Sequence, residues 1–307
     1  MKARIIRIIS KEYTILSEDG QKHTAVLSGK IRRQVIPAAG DLVEAQETAG
    51  QMVIVKILPR KNHLIRPFVA NVDQALIVMS VMDPDFSVTL IDRLTILIEK
   101  AGITPVLVVT KCDRGIPEET EKQIQEYENG PLQVIRTGKG ELNSALRPML
   151  DGKVSVLTGQ SGAGKSTLIN ELEPSFHLAT QEISKALGRG RHTTRHNELH
   201  QVCGGLVADT PGFSSLDFSS MEADEVGACI PDFAPYLGQC RFNDCIHQNE
   251  PGCAVKQAVE EGKVPLRRYH SYLAVLAMIQ ERRKKYLGAL SSHQVFYLLT
   301  IQIQLHS

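Results

Sequence analysis

A glycine-rich segment of eight residues, 159–166, constrains the possible fold more than any other part of the sequence. It reads GQSGAGKS and fits the pattern GxxxxGK[ST] at every fixed position. The apolar run 153–158 precedes it, and a run with helical spacing, 166–172, follows it. A strand, a glycine turn and a helix in this order predict a loop whose backbone N–H groups bind phosphate oxygens at the N-terminus of the helix. The predicted phosphate-binding residues are Gly159, Gln160, Ser161, Gly162, Ala163, Gly164, Lys165, Ser166 and Thr167.

Two side chains of this loop are expected to act on the phosphates directly. Lys165 would reach the β- and γ-phosphates and contribute to catalysis, and the Ser166 hydroxyl would ligate Mg²⁺. A chance match of glycines is the competing interpretation, and the strand before the loop and the helix after it argue against that.

Apolar strand runs alternate with helical patterns on both sides of this loop. The predicted strands are 73–80, 104–110, 133–135, 153–158 and 206–208, and the predicted helices are 89–100, 117–129 and 166–172. Strands that alternate with helices in this way indicate a parallel, doubly wound α/β sheet.

The segment Thr110-Lys111-Cys112-Asp113 ends one of these strands and indicates which nucleotide is bound. It fits the [NT]KxD base-reading signature, and all four residues are candidates for guanine binding. The Asp113 carboxylate would accept hydrogen bonds from guanine N1–H and the N2 amino group, and the stem of Lys111 would cover the base. Adenine does not offer this pair of donors, so it would leave the Asp113 charge unpaired. Residues 137–139 are a weaker candidate for the loop that supports Asp113.

A third segment, Asp209-Thr210-Pro211-Gly212, follows the strand 206–208 and fits the pattern DxxG. Asp209 would hold Mg²⁺ through water, and the Gly212 N–H would sense the γ-phosphate. The order of the three segments is unusual, because the base-reading segment precedes the phosphate loop, whereas ordinary GTPases have the reverse order. All three follow strands, and open α/β sheets bind ligands at the carboxyl ends of their strands. We therefore expect the segments to converge on one site despite the permuted order.

The segment 188–196 lies between the phosphate loop and DxxG and is expected to be the first switch. Thr193 and Thr194 are both candidate Mg²⁺ ligands when the γ-phosphate is present, and Thr194 is favoured. Phe213 occupies the position after DxxG where many GTPases have a glutamine that orients the attacking water. His192 is the nearest suitable side chain for that task, and contact with a partner or solvent is its alternative role.

Residues 1 to about 62 contain four or five short alternating runs separated by glycine turns. This pattern predicts a small β-barrel, for which an OB-fold is the commonest choice at this size. The basic residues of this region are Lys30, Arg32, Arg33, Arg60, Lys61 and Arg66. They favour nucleic-acid binding and simple surface solvation equally.

Three cysteines and a histidine fall within fourteen residues: Cys240, Cys245, His247 and Cys253. The spacing Cys-x4-Cys-x-His-x5-Cys is compatible with tetrahedral Zn²⁺, and four protein ligands leave no position for water, so we expect one structural zinc ion. The other cysteines, at 112, 203 and 229, are read as ordinary buried or partly exposed residues.

The C-terminal helical pattern carries basic and aromatic side chains that are either RNA contacts or a solvated helix face. They are Arg267, Arg268, Tyr269, Tyr272 and the basic run 282–285.

These motifs, in this order, resemble the ribosome small-subunit-dependent GTPase A family of circularly permuted GTPases (YjeQ/YloQ) over roughly residues 1–287. The resemblance implies a multidomain α/β protein with an OB-fold RNA-binding domain at 1–66, a circularly permuted P-loop GTPase domain at 67–217 and a helical zinc-binding domain with a divergent tail at 218–307. It further implies that the protein binds the small ribosomal subunit and its rRNA, acts late in subunit assembly and hydrolyses GTP to GDP and phosphate with stimulation by the subunit. In that family the positions of His192 and of the four zinc ligands have these same roles. The family often has asparagine where this chain has Thr110, which removes a bridging amide and predicts weaker guanine binding.

Amino-acid composition limits the kinds of partner that this protein can bind. The 35 basic and 34 acidic side chains give a net charge of +1, so any RNA contact must come from local patches. No run reaches the roughly 18 apolar residues of a membrane span, and we expect a cytoplasmic monomer without a membrane partner. Two other functions are compatible with the phosphate loop. The protein could be an RNA-binding nucleotide-dependent regulator with little turnover, or it could be a P-loop ATPase or kinase. Asp113 argues against an ATPase or kinase.

Overall fold

The computed structural model describes residues 1–29, 31, 35–65, 68–140, 144–174, 198–208 and 216–289, with backbone alone for 283–289. The chain divides between Leu216 and Asp217 into two compact units. None of the described helices combines the length and apolar composition that a bilayer crossing requires.

The N-terminal part of the first unit is a closed five-stranded barrel. Its strands are β1 (Lys2–Ile9), β2 (Glu12–Ser17), β3 (Lys22–Leu27), β4 (Leu42–Thr48) and β5 (Gln51–Ile57). They follow the order β1-β2-β3-β5-β4, with β3 and β5 parallel, as in an OB-fold. Alternation along the strands places Ile5, Ile15 and Ile54 in the barrel core without solvent exposure. The predicted OB-fold is confirmed.

A short hairpin that the sequence did not predict connects the barrel to the sheet that follows. It consists of β6 (His63–Ile65) and β7 (Phe68–Ala70), paired antiparallel. The barrel also contacts the sheet through Arg7, whose backbone bridges to Glu198 and whose Nε lies 3.2 Å from the Glu198 carboxylate.

The rest of the first unit is a six-stranded sheet. Its strands are β8 (Gln74–Ser80), β9 (Thr104–Thr110), β10 (Gln133–Arg136), β11 (Val154–Gly159), β12 (Leu199–Val202) and β13 (Gly205–Ala208). Their order is β10-β9-β8-β11-β13-β12. All neighbours pair in parallel except β12, an edge strand antiparallel to β13. The predicted parallel arrangement therefore holds for five of the six strands.

Helices cover both faces of this sheet, as a doubly wound fold requires. They are α1 (Val88–Lys100), α2 (Glu118–Glu128), α3 (Leu146–Leu150) and α4 (Lys165–Leu172). Every residue of β8 is buried: Ile77 and Met79 belong to the core that includes α1 and α2, whereas Leu76 and Val78 belong to the core that includes α3 and α4. Burial on both faces explains why this strand is a continuous apolar run rather than an alternating one.

The second unit is helical with a long irregular segment, as the sequence predicts. It contains 3-10 turns at Gly227–Cys229 and Pro231–Tyr236, followed by α5 (Ala254–Glu260) and α6 (Leu266–Ala289). The largest buried side chains of this unit are Phe233 and Tyr272, whose rings meet edge to face with centroids 5.2 Å apart.

Candidate functional site

The predicted nucleotide-binding segments follow neighbouring strands of the sheet. The chain runs outward from β8 through β9 to β10, and then returns to place β11 on the other side of β8. The pair β8 and β11 is thus the point at which the strand order reverses, and ligands of open α/β sheets bind at the carboxyl ends of strands around such a point. The base-reading segment follows β9 and the phosphate loop follows β11, at the same edge of the sheet.

The phosphate loop has the backbone that its glycines predict. Gly159 has a φ of +118°, and a Cβ there would lie 2.0 Å from the carbonyl oxygen of Val78, so only glycine fits. No side chain caps the N-terminus of α4, which leaves its first N–H groups without a side-chain acceptor. The Lys165 ammonium donates to the carbonyl oxygens of Gly159, at 2.9 Å, and Gln160. Burial lowers the pKa of Lys165 to about 8, and a bound phosphate would favour its charged form.

One hydroxyl joins the base-reading segment to the phosphate loop. Thr110 Oγ1 donates a hydrogen bond of 2.6 Å to the carbonyl oxygen of Ala163, and both residues are buried. Segments 53 residues apart along the chain therefore meet. The convergence expected from the sequence is present for these two segments.

A cleft of about 250 Å³ opens beside this contact. It is lined by Thr110, Lys111, Asp113, Arg114, Thr137, Gly138, Lys139, Gly164, Thr167, Leu168 and Glu171. It therefore combines the base-reading segment, residues 137–139 and the start of α4 in one concave surface. The sequence did not predict three of these residues, Arg114, Leu168 and Glu171. Glu171 follows the predicted residue Thr167 by one helical turn and so lies on the same side of α4.

Two backbone loops fix the orientation of the base-reading side chains. The Lys139 N–H donates to Asp113 Oδ1 at 2.9 Å, and a Cβ on Gly138 would lie 2.9 Å from the same carboxylate oxygen. The predicted support of Asp113 by residues 137–139 is thus present in the geometry. The Lys111 ammonium donates to the carbonyl oxygens of Met82, at 3.3 Å, and Asp83, in the loop after β8. Burial lowers the pKa of Lys111.

Several predicted residues lie outside the part of the chain that the structure describes. They are His192, Thr193, Thr194, Asp209, Gly212 and Phe213. The strand that leads to Asp209 is described: β13 ends at Ala208, which pairs with Val156 of β11. The chain therefore enters DxxG from the strand beside the one that carries the phosphate loop.

The predicted zinc ligands form one cluster in the second unit. The four ligand atoms lie within 4.8 Å of one another. His247 Nδ1 is 3.5 Å from the Sγ atoms of Cys240 and Cys245 and 3.4 Å from that of Cys253, and the Cys240 and Cys253 sulfurs are 3.9 Å apart. Tetrahedral zinc with its usual bond lengths gives about 3.5 Å between sulfur and nitrogen and about 3.8 Å between sulfurs. The donor set therefore fits zinc in spacing as well as in chemistry.

Electrostatics and backbone contacts also favour a cation at this cluster. Burial raises the pKa of Cys245 and of Cys253, so these two thiols would stay protonated unless a positive ion stabilised their thiolates. Burial lowers the pKa of His247, which keeps its ring neutral and able to bind metal. The backbone N–H groups of His247 and Lys256 point to the sulfurs of Cys245, at 3.4 Å, and Cys253, at 3.5 Å.

The helix α6 holds the loop that carries His247. The Tyr269 hydroxyl donates to the His247 carbonyl oxygen at 2.8 Å, and the Tyr272 hydroxyl donates to that of Ile246. His247 has a φ of +56°, an uncommon value for a residue with a side chain, so these contacts hold the backbone where its ring meets the three sulfurs. The sequence placed both tyrosines among possible RNA contacts, but Tyr272 is fully buried and cannot reach RNA.

Most described basic residues that the sequence offered for RNA binding have other partners. In the barrel, Arg60 pairs with buried Asp41 at 2.6 Å and Lys61 pairs with Asp73. In α6, Arg268 is 6% exposed and pairs with Asp232 at 3.2 Å. These positions therefore stabilise the fold. The remaining barrel candidates, at 30, 32, 33 and 66, lie outside the described residues.

Comparison with known proteins agrees with this architecture. The family model described as RsgA GTPase matches residues 57–219. The small ribosomal subunit biogenesis GTPase RsgA 2 of Oceanobacillus iheyensis is 43% identical over 292 residues, which cover 93% of this chain and 99% of that protein. The corresponding RsgA of Geobacillus kaustophilus is 44% identical over 294 residues, with the same coverage.

Solved structures give the same result. The crystal structure of YloQ, a circularly permuted GTPase, matches with a TM-score of 0.79 at 36% identity, covering 92% of this chain and 95% of that one. YjeQ from Thermotoga maritima matches with a TM-score of 0.79 at 33% identity, covering 91% of this chain and 98% of that one. With its barrel, its permuted nucleotide site and its cysteine–histidine cluster, this chain belongs to the RsgA GTPase family.

Proposed function

We propose that this protein hydrolyses GTP to GDP and phosphate, binds the small ribosomal subunit through its rRNA, and acts in late assembly of that subunit. The observation that carries the nucleotide part is the single cleft that Asp113 shares with the start of α4, joined by the bond from Thr110 to Ala163. The ribosomal part is supported by the relatives, which are named small ribosomal subunit biogenesis GTPases.

In this proposal the guanine base enters the cleft and the phosphates lie on the loop. Asp113 accepts hydrogen bonds from guanine with its carboxylate already oriented by the Lys139 N–H, at 2.9 Å. The stem of Lys111 covers the base, and Thr110 and Cys112 complete the base-reading segment. The backbone of residues 159–167 binds the phosphates, and Lys165 turns from its two loop carbonyls toward the β- and γ-phosphates.

Three side chains of this protein would hold magnesium at the phosphates, where the ion would supply positive charge against the charge that develops during hydrolysis. Ser166, in the first turn of α4, is 8% exposed and suits one ligand position, and we propose Thr194 and Asp209 for two others. His192 is proposed to orient the attacking water, because Phe213 cannot, and Gly212 to sense the γ-phosphate. The variant His192→Ala should keep its GTP affinity and lose turnover.

We further propose the domain bounds 1–66, 67–217 and 218–307, with one zinc ion held by Cys240, Cys245, His247 and Cys253. With four protein ligands the ion would have a structural role: it would crosslink the loop without taking part in hydrolysis. The protein would act as a cytoplasmic monomer.

The test is GTP turnover with and without purified small ribosomal subunits. Stimulation of the rate by the subunit supports the proposal. An unchanged rate would contradict a subunit-stimulated GTPase and would favour the alternative, an RNA-binding regulator with little turnover. Competition between GTP and ATP in the same assay tests the base reading, since equal inhibition would remove Asp113 from its proposed role. Asp113→Asn is the matched variant, because it keeps the size of the side chain and removes the second acceptor oxygen.

A further inference from the structure

An exposed loop in the second unit is not used by any part of the proposed nucleotide or metal chemistry. It comprises residues 241–244, Arg-Phe-Asn-Asp, between the metal ligands Cys240 and Cys245, and all four side chains are exposed. Phe242 is 41% exposed and is the only aromatic among the large exposed apolar side chains of the described residues. A single exposed apolar side chain is common on protein surfaces, so the contacts and the chemistry around this ring must indicate whether it binds a partner.

The ring is held in place before any ligand arrives. The Arg241 guanidinium lies over the Phe242 ring, 5.5 Å from its centroid. The Arg241 N–H donates to the Gly252 carbonyl oxygen at 3.0 Å, and its Cβ packs on Gly252, where an added Cβ would lie only 3.1 Å away. A turn from Phe242 O to the Cys245 N–H, at 3.4 Å, closes the loop. These two backbone hydrogen bonds fix both ends of the loop, so little conformational entropy is left to lose on binding.

The surroundings of the ring select the kind of partner. The other three side chains of the loop, Arg241, Asn243 and Asp244, are polar, so the loop itself does not form the continuous apolar patch that the core of a protein interface needs. One cation and one carboxylate balance each other, so the loop offers little attraction for a phosphate backbone. A flat ring next to a guanidinium, with an amide and a carboxylate beside it, suits a single unpaired base, which stacks on aromatic and arginine planes and offers polar edges.

We propose that Arg241 and Phe242 form a stacking platform for one unpaired RNA base. The inference rests on the proposed function, because the small ribosomal subunit would supply that base. It assigns the contact to the loop between Cys240 and Cys245 rather than to the basic helix α6.

The first experiment uses the absence of tryptophan from this chain. In the zinc-loaded full chain, Phe242→Trp introduces the only tryptophan, which can be excited selectively at the long-wavelength edge where tyrosine does not absorb. Stacking on a base should quench its emission saturably during titration with a short oligouridylate. Met278→Trp is the matched control, since Met278 lies in the same unit and is 42% exposed. A duplex RNA of equal length should quench neither variant. Equal quenching by duplex would mean contact with the helix backbone and would overturn the platform.

The second experiment measures affinity for isolated small subunits. Phe242→Ala should weaken binding by roughly 5- to 150-fold, the range of one lost base stack, while Met278→Ala should bind as the unchanged protein does. Phe242→Tyr should restore most of the affinity, and zinc content should be the same in all variants. If Phe242→Ala and Met278→Ala bind equally, the platform is refuted, and persistent stimulation of GTP turnover in both would leave the proposed function intact. Quenching by subunits but never by RNA alone would point to a protein partner and would also overturn the proposal.

Discussion

Replacing Thr110 with valine removes the hydroxyl that joins the base-reading strand to the phosphate loop and keeps the shape of the side chain. Thr110 is 6% exposed, and its single hydroxyl proton goes to the Ala163 carbonyl oxygen at 2.6 Å in preference to that of Met79 at 3.3 Å. Valine would leave the Ala163 oxygen buried without this donor, which costs about 1–3 kcal/mol. Part of this cost should appear as a lower free energy of unfolding, and the rest as weaker nucleotide binding.

The assay is equilibrium binding of GDP and GTP together with denaturant unfolding of the nucleotide-free protein. If the whole cost falls on binding, affinity drops by roughly 5- to 150-fold, and GDP and GTP lose equally because Ala163 lies in the loop common to both. Thr110→Ser, which keeps the hydroxyl, is the control. The reasoning is refuted if the valine variant equals the serine variant in both the free energy of unfolding and GDP affinity. Thr110→Asn should bind GDP more tightly, because an amide has a second N–H to offer.

Three further predictions concern the loop lysine, the metal loop and the phosphate loop. Because burial lowers the pKa of Lys165 to about 8 and phosphates require its charged form, GDP affinity should be constant below that pH and fall about tenfold between pH 7 and pH 9; a Lys165→Arg variant with the same slope would contradict this. Tyr269→Phe removes the donor to the His247 carbonyl and should weaken zinc affinity, measured by competition with a chelator, about 10- to 100-fold, with turnover of GTP unchanged. Gly159→Ala would place a Cβ 2.0 Å from the Val78 oxygen and should lower the free energy of unfolding by at least about 2 kcal/mol, which thermal unfolding would detect.

The sequence predicts the strands of the barrel and five strands of the sheet, because each is a clear alternating or continuous apolar run. It does not predict β12, Leu199–Val202, which is short, mixed in polarity and antiparallel at the edge of the sheet. Nor does it predict the β6–β7 hairpin, whose strands have three residues each. Strands of this length are set by their partners rather than by their own pattern, so a single sequence carries too little signal.

The candidate site divides in the same way. Motifs with fixed spacing indicate the phosphate loop, Asp113 and the four candidate metal ligands, because the proposed chemistry dictates those residue types. The contacts of Lys111 with the Met82 and Asp83 carbonyls depend on where the loop after β8 lies, which no motif specifies. The sequence does not single out Phe242 for a related reason: it lies between two predicted metal ligands like a spacer residue, and only the folded unit shows that its ring is exposed.

The reversed strand order also affects how the protein is made. During synthesis β8, β9 and β10 are complete before β11 exists, so the early chain holds half a sheet with an unpaired edge along β8. Gln74 of β8 and Ser155 of β11 are hydrogen-bonded in the folded sheet but are 81 residues apart in the sequence. Parallel strands that are so distant along the chain pair slowly. A nascent chain at that stage has Asp113 but no loop for phosphate. Guanine nucleotide would therefore stabilise only those molecules that have inserted β11, and refolding in its presence should select the completed sheet.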